Sequence, residues 1–248
     1  MNNSVLKSFI LLIMLALLAS CAMTQSLRTA GTTTPYFQVP PSGISPENSV
    51  LFTQALRLQK NNQMRSSFNR WVLFLKSHPR SYEALNNIGL VLYEDDQVDL
   101  AIKKFEAAWA LEPNDDRIRG NLVRALNFRA TMRKEGRDYT GAIKNLKRIA
   151  ELSGPKEREK IEFYIERLQD RIFAQVKRTN TLQAYQDFIN RYPNSPGNSR
   201  SARLHIQAFK KRNPEAVPLQ IGVEGDMDSE PTVSGMIGGN SDTLPIYK

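Results

Sequence analysis

Apolar residues recur three and four positions apart from about residue 47 to residue 212, the spacing of helices that bury one face. Val50, Leu51, Ala55 and Leu58, then Phe68, Trp71, Val72 and Leu75, predict two short helices over 48–76. The following stretch, YEALNNIGLVLYEDDQVDLAIKKFEAAWALEPNDD, predicts a helix pair. Its first member carries Leu85, Ile88, Gly89 and Leu92, and Glu94-Asp95-Asp96 breaks it. Its second carries Ala101, Phe105, Ala108 and Leu111 and stops before Pro113-Asn114-Asp115. Gly89 lets two helices approach closely, while Ala101 and Ala108 keep the facing surface small. The prolines fall outside the helices, where a missing amide costs nothing.

A third pair follows with a distortion. Leu122, Val123 and Leu126 mark its first helix and Ala142, Leu146 and Ile149 its second. Val123 to Ala142 is 19 residues, against 12 from Gly89 to Ala101. Seven extra residues, about two helical turns, therefore lie around RATMRKEGRDY. They are either plain length variation or a lengthened helix or loop on a binding face. After Gly154-Pro155 the positions Ile161, Ile165, Leu168, Ile172 and Val176 predict a long helix, with Pro155 in its first turn. Leu182, Tyr185, Phe188, Ile189 and Tyr192, a Pro193–Gly197 turn, and then Ala202, Ile206 and Phe209 predict a closing pair.

The 82–115 segment resembles the tetratricopeptide repeat, a 34-residue helix–turn–helix unit. Leu85, Gly89, Leu92, Ala101, Phe105, Ala108 and Pro113 stand at that family's signature places, although Leu85 and Leu92 replace its usual Trp and Tyr. Pro79 precedes Pro113 by one period, and Trp71 shifted by the same period falls on Phe105, so 48–81 reads as a degenerate first repeat. The Tyr185–Ala202 run, with its YPNS turn, is similar to envelope repeat lipoproteins and suits the cap that a solenoid end requires. The expected fold class is all-α: a TPR-like α-solenoid of antiparallel helix pairs over 47–212, with disordered termini.

Both ends differ from this body. Lys7 precedes an unbroken apolar run from Phe9 to Ala19, too short to cross a bilayer and laid out as a secretory signal. Leu18-Ala19-Ser20-Cys21 resembles the bacterial lipobox. That resemblance implies cleavage after residue 20 and lipid attachment at Cys21, the chain's one cysteine. Ala22, rather than Asp, resembles cargo sent to the outer membrane. Several acyl chains anchor stably where one binds marginally. Residues 21–46, rich in Thr, Ser, Gly and Pro, read as a flexible tether from lipid to domain, with Pro35-Tyr36-Phe37 as a weaker docking alternative. Residues 213–248 carry six acids and one lysine and lack the helical pattern, so disorder is expected there.

Charge sharpens the picture. Residues 117–178 hold 17 Lys/Arg and 8 Asp/Glu. Arg129, Arg133, Lys134, Arg137, Lys144, Lys147 and Arg148 are the partner-binding candidates; a solvated helix face explains such charge equally well. An acidic protein, anionic lipid headgroups or a glycan polymer fits this segment, and a secretion signal makes nucleic acid an unexpected client. His78 and His205 are far apart and lack metal-ligand spacing, and no phosphate loop or nucleophile motif occurs. The acid clusters at 94–96 and 115–116 fall at turns and read as helix caps. Neither a catalytic residue, a metal site nor a cofactor is expected. The combined expectation is a lipid-anchored scaffold on the periplasmic face of a bacterial outer membrane. It resembles lipoproteins that serve pilus or secretin assembly, or outer-membrane protein insertion, and its partner is an envelope protein or peptide. The alternative is an accessory to cell-wall or polysaccharide enzymes.

Overall fold

A computed structural model describes residues 35–212. The expected signal peptide, Cys21, the tether up to residue 34 and the acidic tail lie outside the described residues. The described chain is all-α apart from its first eleven residues. Its helices are α1 Pro46–Lys60, α2 Met64–Ser77, α3 Tyr82–Glu94, α4 Val98–Leu111, α5 Asp116–Glu135, α6 Tyr139–Glu151, α7 Pro155–Thr179, α8 Leu182–Arg191 and α9 Asn198–Arg212. Consecutive helices pair into hairpins, and the first helices of the first three hairpins, α1, α3 and α5, also touch in sequence. The result is a helical solenoid.

Local chemistry sets each boundary. Ser45, Ser81, Asp115, Asp138 and Thr181 cap α1, α3, α5, α6 and α8, each side chain accepting a backbone N–H of the first turn. The hairpin turns share one device. Asn62, Asp96 and Arg137 adopt left-handed φ values of 60°, 61° and 61°. The residue after each donates its N–H back five positions, to Leu58, Leu92 and Arg133. That is the helix-ending arrangement that turns a chain through a left-handed residue. Asn and Asp accept this conformation readily, whereas arginine adopts it at a cost.

The seven-residue surplus is resolved by these turns. α5 has 20 residues where α3 has 13, and the turn geometry is unchanged. The extra residues thus lengthen a helix and form no loop.

The main apolar core runs from Phe52 to Ala202, and Leu85, Ala108 and Ile118 form a smaller cluster of their own. Of the seven signature positions, all but Pro113 are buried, and Pro113 lies in the exposed turn between α4 and α5. Gly89 is needed for close approach: a Cβ there would stand 2.7 Å from the Phe105 ring, which is fully buried. Gly89→Ala gains about 1 kcal/mol of helix propensity but overpacks a rigid neighbour, costing about 1–3 kcal/mol. A net fall in the urea midpoint is expected. Gly120→Ala, whose Cβ meets only the Tyr36 ring at 3.8 Å, should keep the propensity gain. On α7, the buried stripe is Ile161, Ile165, Leu168 and Phe173; Ile172 and Val176, expected as core, are half-buried. Phe173 is drawn inward by Tyr185 and Phe188 of α8.

Candidate peptide-binding groove

Helix α3, buried at every residue from Glu83 to Tyr93, carries two adjacent asparagines at its centre. Asn86 and Asn87 are fully buried, as is Asn121 on α5. Asparagine is a poor residue for a helix interior because its amide competes for backbone groups, so a buried amide there needs partners. The partners come from the chain's own residues 36–38. Tyr36 N–H donates to Asn121 Oδ1 at 3.1 Å, and Asn121 Nδ2 donates back to the Tyr36 carbonyl at 2.8 Å. Two residues on, Gln38 N–H donates to Asn87 Oδ1 at 2.8 Å and its carbonyl accepts from Asn87 Nδ2 at 3.0 Å. Each side-chain amide holds both polar groups of one residue, as a neighbouring β-strand would.

The clamps are coupled. Asn86 Nδ2 donates to the Tyr36 carbonyl and to Asn87 Oδ1, and Asn86 Oδ1 accepts from Asn121 Nδ2. Below them Gln59 Nε2 donates to the Asn87 carbonyl and Gln59 Oε1 accepts the Trp71 indole N–H, both at 3.0 Å. Indole and backbone N–H groups only donate, so they fix which end of each amide is oxygen. Asn87 and Asn121 lie 34 residues apart, one hairpin repeat, and hold residues two apart in an extended chain. The row therefore reads backbone, largely independent of side chain. Gln38 adds the specific contact: its Nε2 donates at 2.7 Å to Asp115 Oδ2, while Asp115 Oδ1 caps α5. Phe37 packs against the core with the Lys60 ammonium 5.8 Å from its ring centre. At the far end Arg124 lies 5.1 Å over the Tyr93 ring. Burial pushes its pKa down, opposed by Tyr93 and Glu94.

Part of the stretch expected as a flexible tether over 21–46 is docked, next to the Pro35-Tyr36-Phe37 alternative. Within its described part, residues 36–38 form a strap across α3 and α5, with Gln38 buried. Pattern reading missed Asn86, Asn87 and Asn121 as functional residues. Two adjacent amides inside an apolar helix, one repeated a period later, were the available signal.

The basic candidates divide into two groups. Arg129, Lys144, Lys147 and Arg148 surround one cavity between α4, α5 and α6. Arg148 is held there by both oxygens of Glu106, at 2.8 and 2.7 Å, and by Glu151 at 2.9 Å. The Glu106 hydrogen bond raises its pKa further. Arg129 bridges Asp99 and Asn145. Arg133, Lys134 and Arg137 lie apart from that cavity: Arg133 pairs with Asp138, Lys134 lines a second hollow beside α7, and Arg137 occupies the hairpin turn. His78 stacks on Phe74 and His205 on Tyr185. Among the described residues no group of three His, Cys, Asp or Glu side chains is placed to hold a metal ion. None of the described helices is long and apolar enough to cross a membrane. No protein-family model and no curated protein matches the chain.

Proposed function

We propose that the chain is a tetratricopeptide-type scaffold whose inner groove takes an extended polypeptide segment, held to the periplasmic face of a bacterial outer membrane by lipid on Cys21. In this reading it mediates protein–protein interactions in envelope assembly: pilus assembly, secretion or outer-membrane biogenesis. The observation that carries it is the amide row on α3 and α5, which already grips a backbone at Tyr36 and Gln38. The recurrence of both the clamp and the left-handed turn residue at 34 residues supports the repeat identity. Backbone capture of an extended segment is a recurring recognition mode. The second reading, an accessory to cell-wall or polysaccharide enzymes that contacts an anionic polymer, draws on the cationic rim of Lys144 and Lys147.

Mild crosslinking in cells followed by purification tests the choice. Wild type is expected to retain a set of envelope proteins that the combined Asn87→Leu, Asn121→Leu chain loses, while Lys144→Glu leaves that set intact. Unchanged recovery from the asparagine variant would refute the groove reading. Loss of glycan or wall enzymes from the Lys144→Glu chain alone would select the second one. Cys21→Ser is expected to move the protein out of the membrane fraction; continued tight association would remove the anchor.

A further inference from the structure

The two sides of α7 differ in charge. Glu162 and Glu166 line one hollow together with Arg158, Glu157 pairs with Lys160, and Asp170 accepts from Asn198 Nδ2 at 2.7 Å. On the other side α7 forms a hollow of about 510 Å³ with the end of α5 and the start of α6. Lys134, Arg167 and Arg171 line it together with the rings of Tyr139, Phe163 and Tyr164, and no carboxylate does.

None of these three cations takes part in an ion pair among the described residues. Phe163 is 61% exposed and Tyr164 39%, so two adjacent rings stand uncovered between unpaired cations. An apolar patch rimmed in this way marks an interaction site, and it fits a segment that carries carboxylates around an apolar side chain. Residues 224–230, EGDMDSE, are such a segment: Glu224, Asp226, Asp228 and Glu230 surround Met227. A methionine thioether also makes favourable contacts with aromatic rings.

The segment is within reach. Asn198 opens α9 beside Asp170, and the 15 residues of α9 are about 22 Å long. Arg212 therefore lies within about 30 Å of Arg171 and about 40 Å of Phe163. The 15 residues from Asn213 to Met227 span up to about 50 Å when extended. We propose that the chain's own segment 224–230 docks in this hollow, with Met227 on the Phe163 and Tyr164 rings and its carboxylates on Lys134, Arg167 and Arg171. Tethering supplies it at an effective concentration in the millimolar range, which sets it ahead of a free anion. Any anionic partner at this face competes with it. The docking uses neither the amide groove nor lipid on Cys21, so it stands or falls apart from the scaffold reading.

The first test treats the full chain with a carbodiimide, which joins Lys134 Nζ to a nearby carboxylate through an amide bond. Peptide mapping should find Lys134 joined to residues 224–230 of the same chain, with isotope-labelled and unlabelled chains mixed to identify the partner. The product should fall at least about tenfold in 0.5 M salt, where the Debye length is only a few ångströms, and in the Arg167→Glu, Arg171→Glu chain, whose changes lie on an exposed face. The second test adds the peptide acetyl-EGDMDSE-amide and follows the arginine side-chain N–H signals by NMR. It should bind the full chain carrying Glu224→Gln, Asp226→Asn, Asp228→Asn and Glu230→Gln at least about tenfold tighter than wild type, whose tethered copy competes at millimolar effective concentration. Equal Lys134 product in wild type and the arginine variant, or equal peptide binding to wild type and the neutralised chain, would overturn the proposal. Product formed mainly between two chains would overturn it in favour of a second copy. Vesicles of phosphatidylglycerol and phosphatidylcholine that bind wild type as tightly as the neutralised chain, and lose the arginine variant, would overturn it in favour of a membrane.

Discussion

Trp71→Ala is expected to destabilise the N-terminal hairpin by about 3–5 kcal/mol, the range for truncating a buried large aromatic. Trp71 is fully buried. Its ring meets Phe52 edge-on at 4.6 Å and Phe74 at 6.5 Å, and its indole N–H is the donor that fixes Gln59. Alanine leaves a cavity between α1 and α2, and leaves Gln59 Oε1 without its indole donor. Because solenoid stability is a sum over neighbours, the loss should appear first in α1 and α2. Hydrogen exchange resolved by helix is the measurement: amides of α1 and α2 should exchange far faster while α6 and α7 change little. Trp71→Phe, which keeps most packing and loses the donor, should cost roughly a third as much, near the 1–1.5 kcal/mol of one hydrogen bond. An alanine variant within about 1 kcal/mol of wild type, too little for a cavity of this kind, would contradict this account of the core.

The combined Tyr36→Pro, Gln38→Pro chain should release the strap. Proline has no N–H, so the change removes the two donors that Asn121 and Asn87 accept and leaves the helices untouched. Gln38→Pro also removes the Nε2 donor to Asp115, so at about 1 kcal/mol for each of three hydrogen bonds the open population rises about 150-fold. Limited proteolysis between residues 35 and 45 should accelerate by that factor, with the melting of α3 to α6 unchanged. A free peptide TPYFQVP, which copies 34–40, should then bind in trans. In wild type the tethered strap acts at an effective concentration in the millimolar range and keeps that peptide out. A released chain that is no more cleavable than wild type would show that the amide row does not hold the strap.

The hairpins were legible because burial imposes a period. Ala101, Phe105 and Ala108 on α4 and Ala142, Leu146 and Ile149 on α6 are all buried, as their spacing predicts. The strap was legible only as the weaker docking alternative at Pro35-Tyr36-Phe37, for two reasons. The stretch TTTPYFQVPPSG has the composition of a linker, and its partners lie 49 and 85 residues away, beyond any local pattern. Charge counting failed in a related way. It treated Arg129 and Arg148 as available, whereas Asp99 and Glu106 on the preceding hairpin reach across to them.

The length of α5 has a consequence in angle as well as in distance. Seven residues advance a helix by about 10 Å but leave its azimuth only about 20° from where it began. The partners across the insertion therefore stay in phase. Ala142, Leu146 and Ile149 follow Ala101, Phe105 and Ala108 by a constant 41 residues, and all six face inward. An insertion of five would have turned the same helix by about 140° and aimed the left-handed turn, with all of α6 behind it, away from the core. The third hairpin can thus stand taller than its neighbours without being rotated against them, and heptad-sized steps are the increments by which this stack can be lengthened or trimmed.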